Sequence, residues 1–362
     1  MIYRAILKIR DCRYRAGSKK VQKASVPTVC VGNITVGGTG KTPHTELILR
    51  LLLESDEWGG RNIAVLSRGY KRRSKGFQQV LPDSTAALAG DEPLQIKKKF
   101  PVVTVAVDKD RIEGCRLLTE DAASQNLQPS DVIVLDDAYQ YRKLSADFNI
   151  VLVDWNRPLW KDSLLPLGRL RDLPSRALEA DLIIVSKCPA YIEDPDRSAF
   201  AAGLGFTAYD PANFTGTTKD GRRIPVLFST VRYAHSEPVF PTTDTRYIYS
   251  KKVVAFTGIA KNAPFLQYLS DSYRIVREFS FPDHHRYRAA DFGKIRLAVK
   301  QHPTAAVATT EKDAQRVLDF GGVPDVLRER MIYVPIEAAF LTEEELETFR
   351  SALLSALGGA GD

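Results

Sequence analysis

The sequence has few cysteines and no long apolar run. Its four cysteines form no C-x-x-C pair, so we expect free thiols in a reducing compartment and no disulfide framework; they are Cys12, Cys30, Cys115 and Cys188. No segment reaches the roughly 18 uncharged apolar residues that suggest a membrane-spanning helix. Basic residues interrupt the apolar positions near the N-terminus, so we expect no secretory signal there; they are Arg4, Lys8, Arg10 and Arg13.

Histidine is also scarce, with five in 362 residues. His284 and His285 are adjacent, which is not the i, i+4 spacing of a helical metal site, so we expect no zinc centre. With 44% hydrophobic and 26% charged residues, the composition indicates a folded chain, long enough for two domains. Lys and Arg exceed Asp and Glu by 51 to 44. The resulting charge of +7 suits nucleotides, phospholipid surfaces or nucleic acid without selecting one of them.

Short apolar runs alternate with helical segments from about residue 25 onward. Apolar strands separated by helices predict an α/β fold with a parallel sheet that is covered on both faces. In such sheets the site lies at the carboxyl ends of the strands. We therefore expect the polar residues at these ends to gather along one edge: Asn33, Ser67, Asp108, Asp136, Asp154 and Lys187.

The stretch Val31–Pro43, VGNITVGGTGKTP, resembles a phosphate-binding loop of the form G-x-x-x-x-G-K-[ST], but Thr35 occupies the first glycine position. An apolar strand precedes the stretch and a helix follows it, as such a loop requires. Lysine would contact the β/γ-phosphates, threonine would supply an oxygen to Mg²⁺, and glycines would let backbone N–H groups converge on phosphate. The alternative is a purely structural glycine-rich turn. The predicted nucleotide-binding residues are Gly37, Gly38, Thr39, Gly40, Lys41 and Thr42.

Three acidic motifs are candidates for the chemistry. Asp136 and Asp137 end the apolar run of DVIVLDDAYQ, where one of them could hold Mg²⁺ beside the phosphate loop, or both could cap a turn. Asp91 in GDEP is either a helix N-cap or a catalytic acid or base. In FPDHHRY, a histidine beside Asp283 could form a general-base pair.

The pattern divides the chain into four parts. We predict a basic amphipathic helix over residues 1–20, a phosphate-loop domain over 21–205, a linker or hairpin over 206–252, and a smaller α/β domain over 253–362. The apolar face of the first helix carries Ile2, Ala5, Ile6 and Ile9. This face could lie in a membrane interface or pack on the protein.

Taken together, these motifs resemble the tetraacyldisaccharide 4′-kinase family over nearly the whole chain. The resemblance implies phosphate transfer from ATP to the 4′-hydroxyl of tetraacyldisaccharide 1-phosphate, which gives lipid IV-A. It also implies peripheral association with the cytoplasmic face of an inner membrane, on an anionic lipid surface. We expect a monomer without a nucleic-acid partner. The shared motifs include VGNITVGGTGKTP, VLSRGYKRRSKG, GDEP, VAVDKDR, VLDDAYQYRKL, LLPLGRLRD, FTGIA, FPDHHRY and TTEKDA.

By position, the resemblance implies that Asp91 is the catalytic aspartate and that His284 pairs with it from the second domain, so that domain closure would complete the pair. Lys41 would hold the β/γ-phosphates, and Thr42 with Asp136 or Asp137 would hold Mg²⁺. The further implied substrate or phosphate contacts are Arg111, Arg171 and Asp283.

The chain departs from the family pattern at several places. Ala138 and Tyr141 stand where the family has glycine and histidine, and Asp172 stands where many members have glutamate. Two other functions stay open on sequence grounds. One is a nucleotide-dependent switch, since TEKD at Thr310–Asp313 resembles the guanine-reading motif N-K-x-D apart from its first residues. The other is a kinase for a soluble metabolite.

Overall fold

The computed structural model describes residues 2–70, 72–241, 246–247, 249–283 and 285–358. Within these ranges the α-helices are α1 Ile2–Arg15, α2 Lys41–Glu54, α3 Ala86–Ala89, α4 Asp91–Lys99, α5 Arg111–Leu118, α6 Asp194–Leu204, α7 Ala263–Ser272, α8 Ala289–Gln301, α9 Glu311–Phe320, α10 Asp325–Arg328 and α11 Glu343–Gly358. Short 3₁₀ helices lie at Ala122–Gln125, Leu159–Lys161 and Pro174–Glu179.

The strands fall where the apolar runs predict them, with further short strands in the middle of the chain. They are β1 Thr28–Gly32, β2 Ile63–Ser67, β3 Gln78–Val80, β4 Thr104–Val107, β5 Val132–Asp136, β6 Phe148–Asp154, β7 Leu182–Ser186, β8 Ala208–Asp210, β9 Thr215–Thr217, β10 Arg223–Tyr233, β11 Glu237–Pro238, β12 Lys252–Thr257, β13 Arg274–Ser280, β14 Ala306–Thr310, β15 Met331–Val334 and β16 Ile336–Phe340.

Contacts divide the chain into two compact units. Unit 1 comprises Met1–Pro82, Ile96–Val231 and Ala338–Asp362, and unit 2 comprises Asp83–Gln95 and Arg232–Glu337. This division differs from the boundaries that we predicted. Residues 206–231 and the last helix group with unit 1, and a short segment that begins just before α3 groups with unit 2.

The large sheet of unit 1 runs in the order β3-β4-β2-β5-β1-β6-β7-β10-β9-β8, and β16 pairs with β10. Its central strands are parallel, whereas β3 is antiparallel to β4, β8 to β9 and β9 to β10. Every residue of β1, β2, β5 and β7 is buried, as expected for parallel strands covered on both faces. The predicted α/β class is confirmed.

The C-terminal helix α11 belongs to unit 1 because its polar and apolar groups both pack there. Glu345 is fully buried and accepts hydrogen bonds from Arg197 Nη1 at 2.7 Å and from the backbone N–H of Phe228 at 2.8 Å. Phe349 and Leu353 on the same helix are fully buried. A buried carboxylate needs such partners, since removing one leaves an uncompensated charge.

Unit 2 has a five-stranded sheet in the order β11-β15-β14-β12-β13. Its strands are parallel except for β11, which is antiparallel to β15. One face packs Phe256, Phe292 and Val307 together, and the other packs Phe265, Leu269 and Ile332. The smaller α/β unit that we predicted is therefore present, with helices on both faces of its sheet.

The N-terminal helix α1 turns its predicted apolar face outward. Ile6 and Ile9 are 54% and 57% exposed, whereas Leu7 on the opposite side is buried. Tyr3 and Arg10 lie on the same side as Leu7 and contact Arg171 and Asp172 in the same unit. No helix in the described part of the chain is both long and apolar enough to cross a bilayer.

Candidate active site

The phosphate loop lies between the buried strand β1 and helix α2, as predicted. Gly37 and Gly40 have φ values of 109° and 86°, a region that glycine adopts without steric cost. Thr35 is not among the residues with positive φ; it forms an isolated bridge with Leu170. The missing first glycine is therefore tolerated, because this position uses ordinary backbone geometry and pairs with the segment that carries Arg171.

Residues at the end of β7 and just after β1 form hydrogen bonds with the phosphate loop. Ser186 Oγ donates to the carbonyl of Thr39 at 2.8 Å, and Asn33 Nδ2 donates to Thr39 Oγ1 at 2.6 Å. Lys187 Nζ donates to the carbonyl of Gly38 and contacts Asp154 Oδ2 at 3.0 Å. These bonds fix the loop backbone, a requirement if its N–H groups are to converge on phosphate oxygens.

Asp137 lies at the centre of a charged cluster on this edge. Arg171 donates to both of its carboxylate oxygens through its two Nη atoms, and Lys41 Nζ lies 3.8 Å from Oδ1. Burial would raise the pKa of Asp137, but the charges of Lys41 and Arg171 outweigh it and hold the pKa below its usual value. Asp137 is thus ionised at neutral pH and is already paired with two cations.

The backbone at Asp137 has φ of 51°, an uncommon value for a residue other than glycine. Ala138, where the family has glycine, is not among the residues with positive φ. Position 138 therefore does not require the conformational freedom of glycine. The unusual conformation falls one residue earlier, on the acid that faces Lys41 and Arg171, and such outliers cluster at functional sites.

Asp136 has different surroundings from Asp137. It is buried at the end of β5, and its Oδ2 accepts a hydrogen bond from Ser67 Oγ at 3.0 Å. Thr42 is the second residue of α2 and is buried. Thr42 and Asp136 both provide oxygen donors, which are the ligands that Mg²⁺ prefers. The residues that we predicted for Mg²⁺ thus have the right donor chemistry.

Arg111 and Tyr141 form a third part of this edge. Arg111 is buried, and its Nη2 lies 3.4 Å from the carbonyl oxygen of Asp137. Its guanidinium lies 5.3 Å from the ring centroid of Tyr141, whose hydroxyl donates to Asp110 at 2.7 Å. The tyrosine that replaces the family histidine therefore supports Arg111 through stacking.

His44 lies in α2, one turn after the phosphate loop, and is buried. Its Nδ1 lies 2.7 Å from the carbonyl oxygen of Gly40, and its Nε2 lies 2.9 Å from Ser229 Oγ. Burial lowers the pKa of His44 from 6.5 to about 4. The imidazole is therefore neutral at physiological pH and bridges the phosphate loop to β10.

This burial predicts how stability depends on pH. Below pH 6.5 the unfolded chain protonates this histidine while the folded chain does not, so the free energy of unfolding should fall as pH drops toward 4. The contribution is up to about 3 kcal/mol. Urea unfolding between pH 7 and 4 should give a shallower decline for His44→Gln than for the unaltered chain. The exposed His235 provides the control, and equal slopes for His44→Gln and His235→Gln would contradict the assignment.

Asp91 is the first residue of α4 and groups with unit 2. Arg316 Nη2 lies 3.4 Å from Asp91 Oδ2, and Arg316 Nη1 donates to Asp313 Oδ1 at 3.0 Å and to the carbonyl of Gly258 at 2.8 Å. Arg316 is 10% exposed in its side chain, so its head group is well fixed. Asp91 is therefore held by a residue that no sequence motif singled out.

The neighbouring residues of TEKD have structural partners. Lys312 Nζ lies 2.9 Å from Glu92 Oε1, and although burial would lower the pKa of Lys312, this carboxylate raises it. Asp313 is fully buried and accepts from Gly258 N at 2.9 Å and from Thr310 Oγ1 at 2.8 Å. An Asp313 carboxylate engaged in this way cannot also read a guanine base, which argues against the guanine-switch interpretation.

The predicted partner of Asp91, His284, lies outside the described residues. Asp283 is exposed in a turn. The next residue, His285, contacts Asp291 Oδ2 through Nε2 at 2.9 Å and stacks on Phe281 with ring centroids 4.5 Å apart. His285 is therefore engaged inside unit 2.

The predicted strand-end residues do converge in unit 1. Hydrogen bonds join Asn33 to Arg171, Ser67 to Asp136, and Asp154 to Lys187. Sequence reasoning missed Arg316, Ser186 and Gln140, whose side chain donates to the carbonyl of Asn33. Gln140 lies within the shared motif VLDDAYQYRKL, so the sequence did carry a signal for it. Arg316 lies just after the TTEKDA motif, and nothing in the local pattern marks it.

Comparison with known proteins gives matches over almost the whole chain. The family described as tetraacyldisaccharide-1-P 4'-kinase matches residues 1–356. The tetraacyldisaccharide 4'-kinase of Phocaeicola vulgatus is 36% identical over 97% of this chain and 91% of its own, and that of Parabacteroides distasonis is 38% identical over 90% and 84%. The crystal structure of LpxK from Aquifex aeolicus in complex with ATP is 25% identical, with a TM-score of 0.72 over 98% of this chain and 96% of its own. The chain therefore belongs to the tetraacyldisaccharide-1-P 4'-kinase family and is a phosphotransferase.

Proposed function

We propose that the chain transfers the γ-phosphoryl group of ATP to the 4′-hydroxyl of a tetraacyldisaccharide 1-phosphate. The product would be lipid IV-A, an intermediate of lipid A biosynthesis. The observation that carries this proposal is the cluster of Lys41, Asp137 and Arg171 beside a phosphate loop of the correct strand-loop-helix form. The Aquifex aeolicus relative was crystallised with ATP, which supports ATP as the nucleotide.

The phosphates of ATP would bind the backbone N–H groups of residues 37–41 and the amino group of Lys41. Phosphoryl transfer depends on positioning and on compensating the charge of the transferring group. Lys41 and Arg171 supply two cations next to the Asp137 carboxylate, and Arg111 Nη2 lies 3.4 Å from the Asp137 carbonyl oxygen. Arg171 and Arg111 are thus assigned to charge stabilisation or acceptor binding.

Mg²⁺, when bound, would supply positive charge that neutralises the phosphates. Thr42 and Asp136 are the residues that we assign to hold it. Asp137 was an equal candidate on sequence, but Arg171 and Lys41 already compensate its charge. We therefore assign Asp137 to holding these two cations in place, and Asp136 to the metal.

Asp91 would act as the base that accepts the proton of the 4′-hydroxyl. A sugar hydroxyl is a poor nucleophile until its proton is removed, and a positioned carboxylate can accept that proton during transfer. Arg316 Nη2 contacts one oxygen of Asp91 at 3.4 Å and so helps to orient the carboxylate. His285 is engaged by Asp291, so the orienting histidine is assigned to His284, as the resemblance implies, with Asp283 nearby in sequence.

The exposed apolar face of α1 supports peripheral membrane association. Ile6 and Ile9 are exposed, and so are Arg4, Lys8 and Arg13 on the same helix. Such a helix can lie in the interface of an anionic bilayer. This would place the enzyme where its acylated acceptor is found, on the cytoplasmic face of the inner membrane.

The test compares ATP consumption with and without the acceptor. The proposal predicts slow ATP hydrolysis alone and a large increase when tetraacyldisaccharide 1-phosphate in detergent micelles is added. Equal rates with and without the lipid would contradict the proposal and favour a nucleotide switch. A rate that rises with soluble sugars instead, in a protein that does not co-sediment with anionic liposomes, would favour a soluble-metabolite kinase.

A further inference from the structure

The N-terminal helix and the charged cluster of unit 1 meet at one peptide, that of Arg171 and Asp172. Tyr3 Oη donates to the carbonyl oxygen of Arg171 at 2.9 Å. Arg10 Nη2 donates to Asp172 Oδ2 at 2.8 Å. Tyr3 and Arg10 are seven residues apart, so they lie on the same face of the helix, two turns from each other.

The contact with Asp172 is strong because this carboxylate is buried. Its side chain is 2% exposed, and the other cation near it, Arg176, lies at 3.8 Å. A buried carboxylate depends on close charged partners, so losing Arg10 would leave Asp172 poorly compensated. Asp172 is also where many family members have glutamate. In this chain its short side chain binds the helix.

Arg171 is also bound by residues near the phosphate loop and at the end of β5. Its backbone N–H donates to the carbonyl of Ile34 at 2.9 Å, and its guanidinium binds Asn33 and Asp137. The peptide is therefore held between the strand end that precedes the phosphate loop and the helix α1. A shift of this peptide would carry the guanidinium with it.

We propose that Tyr3 and Arg10 are positioning residues for Arg171, so that the helix we assign to the membrane surface also sets the geometry of phosphoryl transfer. This inference rests on the proposed function of Arg171. Ile6 and Ile9 are exposed, so the helix can present them to an apolar surface while Tyr3 and Arg10 keep their contacts with Arg171 and Asp172. Binding to lipid and positioning of Arg171 then use different side chains of one helix.

The test is a double-mutant cycle on label transfer from ATP to tetraacyldisaccharide 1-phosphate in micelles. Arg10→Met should lower kcat about tenfold, since misplacing a positioned group by a small distance is costly. The KM for ATP should change by less than about twofold, since neither Tyr3 nor Arg10 contacts the phosphate loop. In an Arg171→Met background, Arg10→Met should produce little further loss, because residues that act through each other are not additive. Arg10→Lys should restore part of kcat.

Lys8→Met is the matched control. It removes the same charge from an exposed position of the same helix, so it reports any loss caused by weaker attraction to the lipid, and Arg10→Met should lower kcat well beyond that loss. Tyr3→Phe removes a single hydroxyl and replaces Arg10→Met in the test if that variant does not fold. It should lower kcat when Arg171 is present and cause little further loss in the Arg171→Met background.

The outcomes distinguish failure of the positioning role from failure of the proposed function. Equal losses for Arg10→Met and Lys8→Met, or a full tenfold loss of Arg10→Met in the Arg171→Met background, would overturn the positioning role while leaving the proposed function intact. Absence of lipid labelling by the unaltered chain would overturn the proposed function, and this inference with it.

Discussion

Replacing Asp91 with asparagine is expected to lower kcat for transfer to the lipid by roughly 10²- to 10⁴-fold, the usual contribution of a general base. The change keeps the size of the side chain and its place at the start of α4, but it removes the proton acceptor. ATP affinity should be unchanged, since Asp91 groups with unit 2 and the phosphate loop with unit 1. Single-turnover transfer and ATP titration together measure the two effects.

The neighbouring acid provides the control for this change. Glu92 lies on the same helix and is paired with Lys312 at 2.9 Å. Glu92→Gln removes the same charge and should lower kcat by no more than a few-fold, in line with a partly exposed ion pair. A near-normal rate for Asp91→Asn would remove Asp91 from the mechanism, and a lost ATP affinity would indicate a binding role instead.

Replacing Lys41 with methionine should produce the second large effect. The expected loss of transfer is roughly 10²- to 10³-fold, comparable with removing one group that stabilises transition-state charge. The affinity for ATP should also fall, which distinguishes this variant from Asp91→Asn. Asp137 would lose one of the cations beside it, and its pKa would rise toward the usual value because the charge of Lys41 is one of the causes that hold it down.

A lysine in a distant surface turn controls for the loss of a positive charge. Lys219 is exposed, and Lys219→Met should transfer phosphate at the rate of the unaltered chain. Retention of ATP binding and transfer in Lys41→Met would contradict the assignment of the loop as a phosphate site. The structural alternative, a glycine-rich turn without a ligand, would then be favoured.

The parts of the site that could be predicted from sequence are those set by local pattern. The phosphate loop was recognisable because its strand, glycines and helix are consecutive. Polar residues at strand ends were expected to converge because parallel strands end on one edge, and the hydrogen bond from Ser67 to Asp136 bears this out. Even the departure at Ala138 was interpretable, since the positive φ falls on Asp137.

The parts that could not be predicted depend on contacts between residues far apart in sequence. Arg316 reaches Asp91 across 225 positions, and Arg10 reaches Asp172 across 162. The weak periodicity of residues 206–252 suggested a linker because β8 and β9 are only three residues long and largely half-exposed. The return of α11 to unit 1 depends on the pairing of Glu345 with Arg197, for which a single sequence carries no signal.

The central claim is most directly tested by following the γ-phosphate of ATP. Purified protein, Mg²⁺ and γ-labelled ATP would be mixed with tetraacyldisaccharide 1-phosphate in micelles, and the lipid product would be isolated and its phosphate positions assigned by NMR. The account predicts one labelled phosphate on the 4′-oxygen for each ATP consumed, with labelling lost in Lys41→Met and Asp91→Asn. Label that appears only as inorganic phosphate, or at another position of the lipid, would contradict it.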